Sequence, residues 1–298
     1  MSDADRLPPH LWWVLGGLTL AWGFNWTALK VALSEVPPFT FRSLCLGLGS
    51  AVLFVALRAG GQRMELPRGQ WGRLWLLALL NITAWNMLIA FGVALIPSGR
   101  AAILAYTMPV WAVPLSVWLL GERITRAKLA GLTLGIGGLA LLLGESLVSL
   151  GSAPLGALLI LGAAFSWALG AVLQKRFPVT LPAGLYTAWI MLLGGVPIFA
   201  GALLFEDPGA LRNVSLPAAL GTAYNVFVAF AFAHWAWIKI ATSVPVSVFS
   251  ISMLIIPVVG VLSGMLFLGE RPTWAEYAAL ALVIASLLTV LRPRVARG

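Results

Sequence analysis

The chain has 298 residues, of which 60% are hydrophobic and only 10% are charged. Soluble domains average about 25% charged residues, so this composition excludes an ordinary soluble enzyme, a disordered chain and a disulfide-bonded scaffold. A polytopic membrane protein remains. The formal net charge of +9 comes from Lys and Arg residues in short segments between apolar runs, which indicates membrane topology and not nucleic-acid binding.

A helix that crosses the hydrocarbon core of a membrane needs about 20 apolar residues. Ten such runs follow one another along the chain, at 11–32, 37–57, 74–96, 99–120, 127–144, 154–174, 182–204, 216–238, 244–267 and 273–291. No small-residue cleavage site marks the first run as a signal peptide, so it is interpreted as a retained helix. The predicted fold class is an all-α polytopic membrane protein with ten transmembrane helices, which leaves no room for a soluble catalytic domain.

The placement of the cationic residues predicts which side of the membrane each end of the chain faces. With a cytoplasmic N-terminus, 14 of the 19 Lys and Arg residues fall in cytoplasmic segments and 5 fall in outer ones. Because ten is an even number of spans, the C-terminus returns to the same side. Both termini are therefore expected in the cytoplasm.

The two halves of the sequence resemble each other. The tetrapeptide Leu-Gly-Glu-Arg occurs at 120–123 and again at 268–271, an offset of 148. Further pairs keep the order along the chain: Asn86 with His234, Pro109 with Pro257 and Gly131 with Ala279 at that offset, and Trp22 with Trp167 and Lys30 with Lys175 at 145. Five spans in each half would place the copies upside down relative to each other, as in secondary transporters that bind substrate between inverted repeats. The predicted repeats are residues 1–148 and 149–298.

Three sequence blocks also resemble a known family. Ala21–Trp26 followed by Lys30, the segment Ser98–Leu104 followed by Pro109, and the first Leu-Gly-Glu-Arg are similar to EamA-type members of the drug/metabolite transporter superfamily. The resemblance implies a ten-helix carrier of the bacterial inner membrane that moves small organic metabolites, often outward, and known relatives include exporters of amino acids, notably aromatic ones. Pro245-Val246-Ser247 replaces the Gly-Arg-Ala stretch in the second half, so strict symmetry of function is not expected.

Polar side chains inside predicted spans are the candidates for substrate contact, because they are unfavourable in lipid and usually face a cavity or a partner helix. The candidate substrate-binding residues are Asn25, Trp26, Asn81, Trp85, Asn86, Tyr106, Trp167, Tyr224, Asn225, His234 and Trp235. Amide, imidazole and aromatic groups together suit a zwitterion or a flat apolar side chain. The alternative is that the Trp and Tyr residues form interfacial belts and that the Asn residues hold helices together.

Helical spacing sorts several of these residues onto faces. Asn81, Trp85 and Leu88 share one face of the third span at i, i+4 and i+7. On the eighth span the same spacing predicts two stripes, which are Tyr224, Val228 and Phe232, and Phe227, Ala231, His234 and Trp235.

His234 is the only histidine within a predicted span. Its imidazole titrates near neutral pH, so it is the candidate for proton coupling, with a hydrogen-bonded packing role as the alternative. No Asp or Glu lies in the middle of a span, so a carboxylate relay, a Na⁺ cage, a metal site and a catalytic residue set are not expected. No cofactor is expected, and no Walker motif points to ATP hydrolysis.

The expected partners are a small-molecule substrate and membrane lipids, with the chain as a monomer or a homodimer. The competing functions are an integral-membrane enzyme and a channel or scaffold without alternating access. An enzyme would need clustered carboxylates, paired histidines or a nucleophile with its base, which the spans do not offer.

Pro109 and Pro257 fall in the middle of the fourth and ninth spans and are candidate hinges, because proline interrupts helical hydrogen bonding; a static kink is the alternative. Glu122 and Glu270 are expected to cap the next helix or to pair across the halves as gates. Lys30 is expected either to reach lipid headgroups or to meet a substrate carboxylate.

Small residues recur along the fifth and tenth spans and predict close helix contact. Gly131, Gly135 and Gly138 are spaced i, i+4 and i+7, and Ala279 and Ser286 occupy two of the matching positions. This packing seam is expected either within the bundle or at a dimer contact.

Overall fold

The computed structural model describes residues 9–66, 69–148, 153–243 and 246–291. Within these ranges the regular structure is helical, with no strand. The α-helices are α1 (Pro9–Ala32), α2 (Pro38–Ala59), α3 (Trp71–Ala78), α4 (Trp85–Leu95), α5 (Ser98–Ala105), α6 (Met108–Leu120), α7 (Arg126–Val148), α8 (Ala153–Arg176), α9 (Ala183–Phe205), α10 (Leu216–Ala223), α11 (Ala233–Ser243), α12 (Val246–Leu268) and α13 (Trp274–Leu291).

Seven helical segments are long and apolar enough to cross a membrane, judged by length and composition over the described residues. They are Pro38–Ala59, Trp71–Leu95, Ser98–Leu120, Arg126–Gly144, Pro154–Arg176, Ala183–Phe205 and Leu216–Trp237. Each coincides with one of the predicted apolar runs. Helices α1, α12 and α13 are not among these seven, so the total of ten spans stays a prediction.

Two of the long segments contain π-helical stretches, which the sequence spacing did not predict. The first (Leu79–Ala84) lies between α3 and α4, and the second (Tyr224–Phe232) lies between α10 and α11. A π-helix bonds i to i+5, yet two of the three predicted stripes hold. Asn81, Trp85 and Leu88 all contact α8, and Tyr224, Val228 and Phe232 all face α1. The third stripe is divided between an exposed side and a packed side. Trp235 is 43% exposed, whereas its predicted stripe neighbour His234 packs against other aromatic rings.

Prolines and glycines define several helix ends. Helix α2 begins directly after Pro37 and helix α9 after Pro182, because a proline before the first turn favours extended backbone and needs no hydrogen-bond partner. Gly121 and Gly269 have φ values of +66° and +65°, which only glycine adopts readily. They end α6 and α12, so the glycine of the repeated tetrapeptide stops a helix in both copies.

The two candidate hinge prolines differ in their surroundings. Helix α5 ends at Ala105, a turn follows at Tyr106 and Thr107, and Pro109 lies in the first turn of α6. Pro257 instead lies inside helix α12, which continues from Val246 to Leu268. The chain is therefore interrupted near Pro109 and unbroken at Pro257.

The helices pack in a regular set of pairs. Helix α2 runs along α9, and α7 runs along α13. Helix α1 packs against α12 and against the segment from α10 to α11, while α8 packs against α5 with α6 and against α4. One large cluster of buried side chains links most of these helices.

The predicted seam of small residues lies within the bundle, between α7 and α13. A Cβ atom built on Gly138 would lie 3.2 Å from the carbonyl oxygen of Ala279, and one on Gly135 would lie 3.2 Å from the Ser286 hydroxyl. Ser286 also donates a hydrogen bond to the carbonyl oxygen of Gly131 at 2.6 Å. The glycines are thus used for close contact between these two helices.

Candidate functional site

At one end of the bundle, glutamates close the N-termini of helices that are distant in sequence. Glu270 accepts hydrogen bonds from the backbone N–H groups of Ser98 (2.6 Å) and Gly99 (3.0 Å), at the start of α5. Glu206 accepts from Phe39 (2.9 Å) and Thr40 (2.6 Å), at the start of α2. The first N–H groups of a helix lack partners within the helix and carry partial positive charge, so each carboxylate stabilises the N-terminus that it touches.

Glu35 completes the set, and we refer to this side as the glutamate end of the bundle. Its carboxylate accepts from the backbone N–H of Ser215 (2.6 Å) and from the Ser215 hydroxyl (2.5 Å), directly before α10. Because both groups hydrogen-bond the ionised form, with the hydroxyl as the larger cause, the pKa of Glu35 is lowered from its ordinary value.

Replacing Glu35 with glutamine is expected to lower thermal stability at neutral pH only. A carboxyl whose pKa is lower in the folded state stabilises the fold above its ordinary pKa of 4.5, and this contribution is lost as the pH falls through the folded value. Melting temperatures of wild type and Glu35→Gln in detergent should therefore differ at pH 7 and converge as the pH falls below 4.5. A difference that stays constant over this range would contradict the assignment.

Lys30 also belongs to the glutamate end. Its ammonium donates to the carbonyl oxygens of Val93 (2.6 Å), Ala94 (3.2 Å) and Ile96 (2.7 Å), which end helix α4. Cations are favourable at the negative end of a helix. Lys30 is thus held by backbone carbonyls, neither of the two roles expected from the sequence.

The opposite end carries Glu122, the residue equivalent to Glu270 in the repeat. Glu122 forms a 2.5 Å ion pair with Lys128 and lies 3.9 Å from Lys175. The hydrogen bond from Lys128 is the main reason why the pKa of Glu122 is lowered. Arg176 of α8 donates to the carbonyl oxygen of Leu119, in the last turn of α6. The two glutamates of the repeated tetrapeptide therefore have different partners.

Between the two ends, the first π-helical stretch forms an aromatic and amide cluster with α8, which we name the first cluster (Asn81, Trp85, Ser166 and Trp167). The amide of Asn81 donates to the carbonyl oxygen of Trp167 at 3.1 Å. The rings of Trp85 and Trp167 are 5.0 Å apart, and Ser166 donates to the carbonyl oxygen of Leu80. Three predicted site residues are therefore neighbours here.

The second π-helical stretch forms the corresponding second cluster with α1 (Trp22, Tyr224, Phe230 and His234). The indole of Trp22 donates to the carbonyl oxygen of Ala229 at 3.2 Å, and the hydroxyl of Tyr224 donates to that of Ala21 at 2.9 Å. The His234 ring stacks on Phe230 at 5.3 Å and meets Trp22 edge-on at 5.9 Å. Its Nδ1 is 3.2 Å from the carbonyl oxygen of Ala229.

The remaining candidates are dispersed. The amides of Asn86 and Asn225 donate to carbonyl oxygens one turn back in their own helices, those of Ile82 and Gly221. Trp235 lies on the exposed surface, with the ammonium of Lys239 5.3 Å from its ring.

Three further candidates lie on α1 and in the turn after α5. Trp26 and Tyr106 are buried. The side-chain oxygen of Asn25 is buried without a hydrogen-bond partner, as is that of Asn225. Asn25 and Asn225 thus retain one acceptor each that no described residue satisfies.

Arg42 lies in the interior of the bundle, although its position in the sequence places it near the end of a predicted span. It is only 2% exposed, and its guanidinium carbon lies 5.2 Å from the ring centre of Phe41 and 5.7 Å from that of Phe230. Its Nε is buried without a hydrogen-bond partner. The signal in the sequence was a single cation inside an apolar run that contains no acidic residue.

No group of three or more His, Cys, Asp or Glu residues that could hold a metal ion occurs in the part of the chain that the structure describes. Cys45, the single cysteine, is buried with a free thiol.

Comparisons with known proteins find similarity to membrane transporters. The profile of the EamA-like transporter family matches the chain twice, over residues 10–144 and 154–292. An uncharacterized transporter of Bacillus subtilis, YoaV, is 27% identical over 86% of this chain and 88% of its own length. A probable amino-acid metabolite efflux pump of Escherichia coli is 28% identical over 91% of each chain.

One solved crystal structure shares the fold, with a TM-score of 0.66 at 22% identity, over 95% of this chain and 97% of that one. The chain is a multi-pass membrane protein, and the two profile matches together cover almost all of it. It belongs to the EamA-like transporter family.

Proposed function

We propose that this protein exports small organic metabolites, with amino acids as the first class to test, by alternating access between two inverted repeats. The name of the Escherichia coli relative, a probable amino-acid metabolite efflux pump, supports the direction and the solute class. The proposed location is the bacterial inner membrane, with ten spans and both termini in the cytoplasm.

Three findings support the inverted repeat. The family profile matches each half separately. Shifting the first π-helical stretch by 148 residues gives 227–232, which falls within the second stretch, Tyr224–Phe232. The helix pairs also exchange under the repeat, because α1 packs on α12 as α8 packs on α5 with α6. Residues 1–148 and 149–298 remain the proposed units.

The single observation that carries the proposal is that Glu270 and Glu122, at equivalent positions of the two repeats, have different partners. Glu270 joins the second repeat to the N-terminus of α5 in the first repeat. Glu122, at the equivalent position, binds Lys128 and Lys175. A carrier that opens alternately to its two sides needs its two ends closed in turn. At the glutamate end, which we propose is the outer side, the hydrogen bonds from Ser98 and Gly99 to Glu270 hold the two repeats together. We call this contact the clamp.

The substrate is proposed to lie between the first and second clusters, which supply indole, imidazole and amide groups. Within this proposal Pro109 and Pro257 are the hinges, and the interrupted helix at Pro109 is the more mobile of the two. Export is proposed to run down the substrate gradient, with at most His234 as a proton site. The chain is not proposed to act as an enzyme, because the clusters contain no nucleophile paired with a base.

Efflux from loaded cells tests the function. Cells that express the protein are expected to lose preloaded amino acids faster than control cells, with saturation and with counterflow, since a carrier exchanges solute from both sides. Trp85→Ala should abolish most of this efflux, because it removes the ring that contacts Trp167, whereas Trp235→Ala, on the exposed surface, should leave it unchanged.

Several outcomes would contradict the proposal. Flux that is unsaturable and lacks counterflow would indicate a channel, and chemical conversion of the solute would indicate an enzyme. If no solute leaves faster than from control cells at equal expression, the export function fails. In reconstituted vesicles, flux coupled to a pH gradient that survives His234→Ala would exclude His234 as the proton site.

A further inference from the structure

The guanidinium of Arg42 is a buried cation without a counter-ion. Arg42 lies in the second turn of α2 and is 2% exposed. Among the described residues it has no ion pair and no hydrogen bond, and its Nε is enclosed without a partner. An unpaired charge in a low-dielectric interior is strongly unfavourable, so a residue kept in this state points to an anion that arrives from elsewhere.

The chain's own carboxylates near this end of the bundle are already occupied. Glu206, at the start of the same helix, is bonded to the N–H groups of Phe39 and Thr40. Glu35 is bonded to Ser215, and Glu270 to Ser98 and Gly99. The predicted spans contain no acidic residue at mid-membrane, and among the described residues no carboxylate forms an ion pair with Arg42.

Aromatic rings hold the guanidinium in place and connect it to the second cluster. Phe41 and Phe230 lie 5.2 Å and 5.7 Å from its carbon, within the range of cation–π attraction. The Phe230 ring also stacks on His234, which meets Trp22. Arg42 is therefore connected through Phe230 to the imidazole and the indole of the second cluster.

We propose that Arg42 binds the carboxylate of the transported solute, so that the protein selects amino acids or other organic acids over amines and amides of the same shape. The planar guanidinium presents parallel N–H donors that match a carboxylate in two-point contact. This inference rests on the proposed function and assigns its substrate class. The competing role is a purely structural one, in which Arg42 only joins α2 to the second π-helical stretch.

A series of phenylalanine, phenylalanine amide and phenethylamine separates the two roles. Wild-type protein is expected to bind and export phenylalanine at least about tenfold better than the two ligands without a carboxylate, because they leave Arg42 unpaired. Arg42→Gln should raise the KM for phenylalanine by roughly tenfold or more and remove the preference. Arg42→Lys, which keeps the charge without the two-point geometry, should fall between them.

Arg58, on the same helix but exposed near its other end, gives the matched control. Arg58→Gln should leave the preference unchanged. An Arg42→Gln protein that loses affinity for all three ligands equally, or that keeps the wild-type preference, would overturn the proposal. If Arg42→Gln does not fold, the test rests on Arg42→Lys and on the ligand preference of the wild-type protein. Equal affinity of the wild-type protein for phenylalanine and for its amide would overturn the proposal.

Ligand binding to purified wild-type protein, followed by tryptophan fluorescence, keeps the two hypotheses apart. Binding that depends on the carboxylate, together with no export of any solute, would refute the exporter and retain the Arg42 site. Export without dependence on the carboxylate would refute the Arg42 site and retain the exporter.

Discussion

Replacing Glu270 with glutamine is expected to open the glutamate end of the bundle and to reduce efflux. The carboxylate accepts two backbone hydrogen bonds at the positive end of α5, and an amide would offer one acceptor without charge. Hydrogen bonds to charged groups contribute about 1.5–3 kcal/mol each, so the loss of one shifts the balance between the two states roughly ten- to a hundredfold. Efflux should fall, by at most this factor, because solute enters the carrier from the cytoplasmic side, which is open only while the clamp closes the outer side.

Thiol labelling measures this opening directly. A cysteine in place of Ile103, which is 1% exposed and lines a small cavity beside Glu270, should react slowly with a membrane-impermeant reagent in a Cys45→Ala background. Glu270→Gln should accelerate that reaction. The matched control is Glu122→Gln, which should not accelerate it, because Glu122 binds lysines at the other end. Unchanged labelling and efflux in Glu270→Gln would refute the clamp.

Gly221→Ala is expected to destabilise the fold through the contact between α1 and α10. A Cβ atom at this position would lie 2.8 Å from the carbonyl oxygen of Ala28 and 3.2 Å from the nitrogen of Ala32. Both are backbone atoms of α1, so the two helices must move apart. Overpacking of this kind lowers the free energy of unfolding by about 1–3 kcal/mol, which a lower melting temperature in detergent would report.

Gly47→Ala is the matched control for this prediction. Gly47 lies in the middle of helix α2, is exposed, and has no atom within 4 Å of a built Cβ. Alanine is favoured over glycine inside a helix by roughly 0.5–1 kcal/mol, so this variant should be as stable as wild type or more stable. A loss of stability in both variants alike would show that the close approach at Gly221 is not the cause.

The coarse features of the molecule could be predicted from the sequence because they follow from composition and spacing. Apolar runs of about 20 residues identify membrane helices, and the positions of the repeated tetrapeptide, Trp22 and Trp167 indicate two related halves. The structure brings Trp85 and Trp167 together and places Trp22 against His234. The glycine seam could be predicted for a similar reason, since small residues at i, i+4 and i+7 permit close contact.

Other features depend on contacts between distant segments, which periodicity does not encode. The partner of Glu270 is 172 residues away at Ser98, so the sequence alone left capping and pairing across halves as alternatives. Lys30 binds the carbonyl oxygens at the end of α4, 63 to 66 residues away, and spacing along the chain does not predict that contact either. Arg42 was missed because its depth depends on how α2 packs against the second π-helical stretch, and apolar spacing does not reveal where a helix changes its hydrogen-bonding pattern.

The two π-helical stretches give each half a surplus residue relative to an uninterrupted α-helix. A π-helical turn contains more residues than an α-helical turn, because its hydrogen bonds run from i to i+5. If one residue within Leu79–Ala84 were deleted, an α-helical turn would form in its place, and the side chains of α4 would keep their directions. The contact between Trp85 and Trp167 would then survive, whereas a deletion in the regular part of a helix rotates every side chain beyond it by about 100°. The π-helical stretches are thus positions at which the chain can lose one residue while the same side chains line the interior.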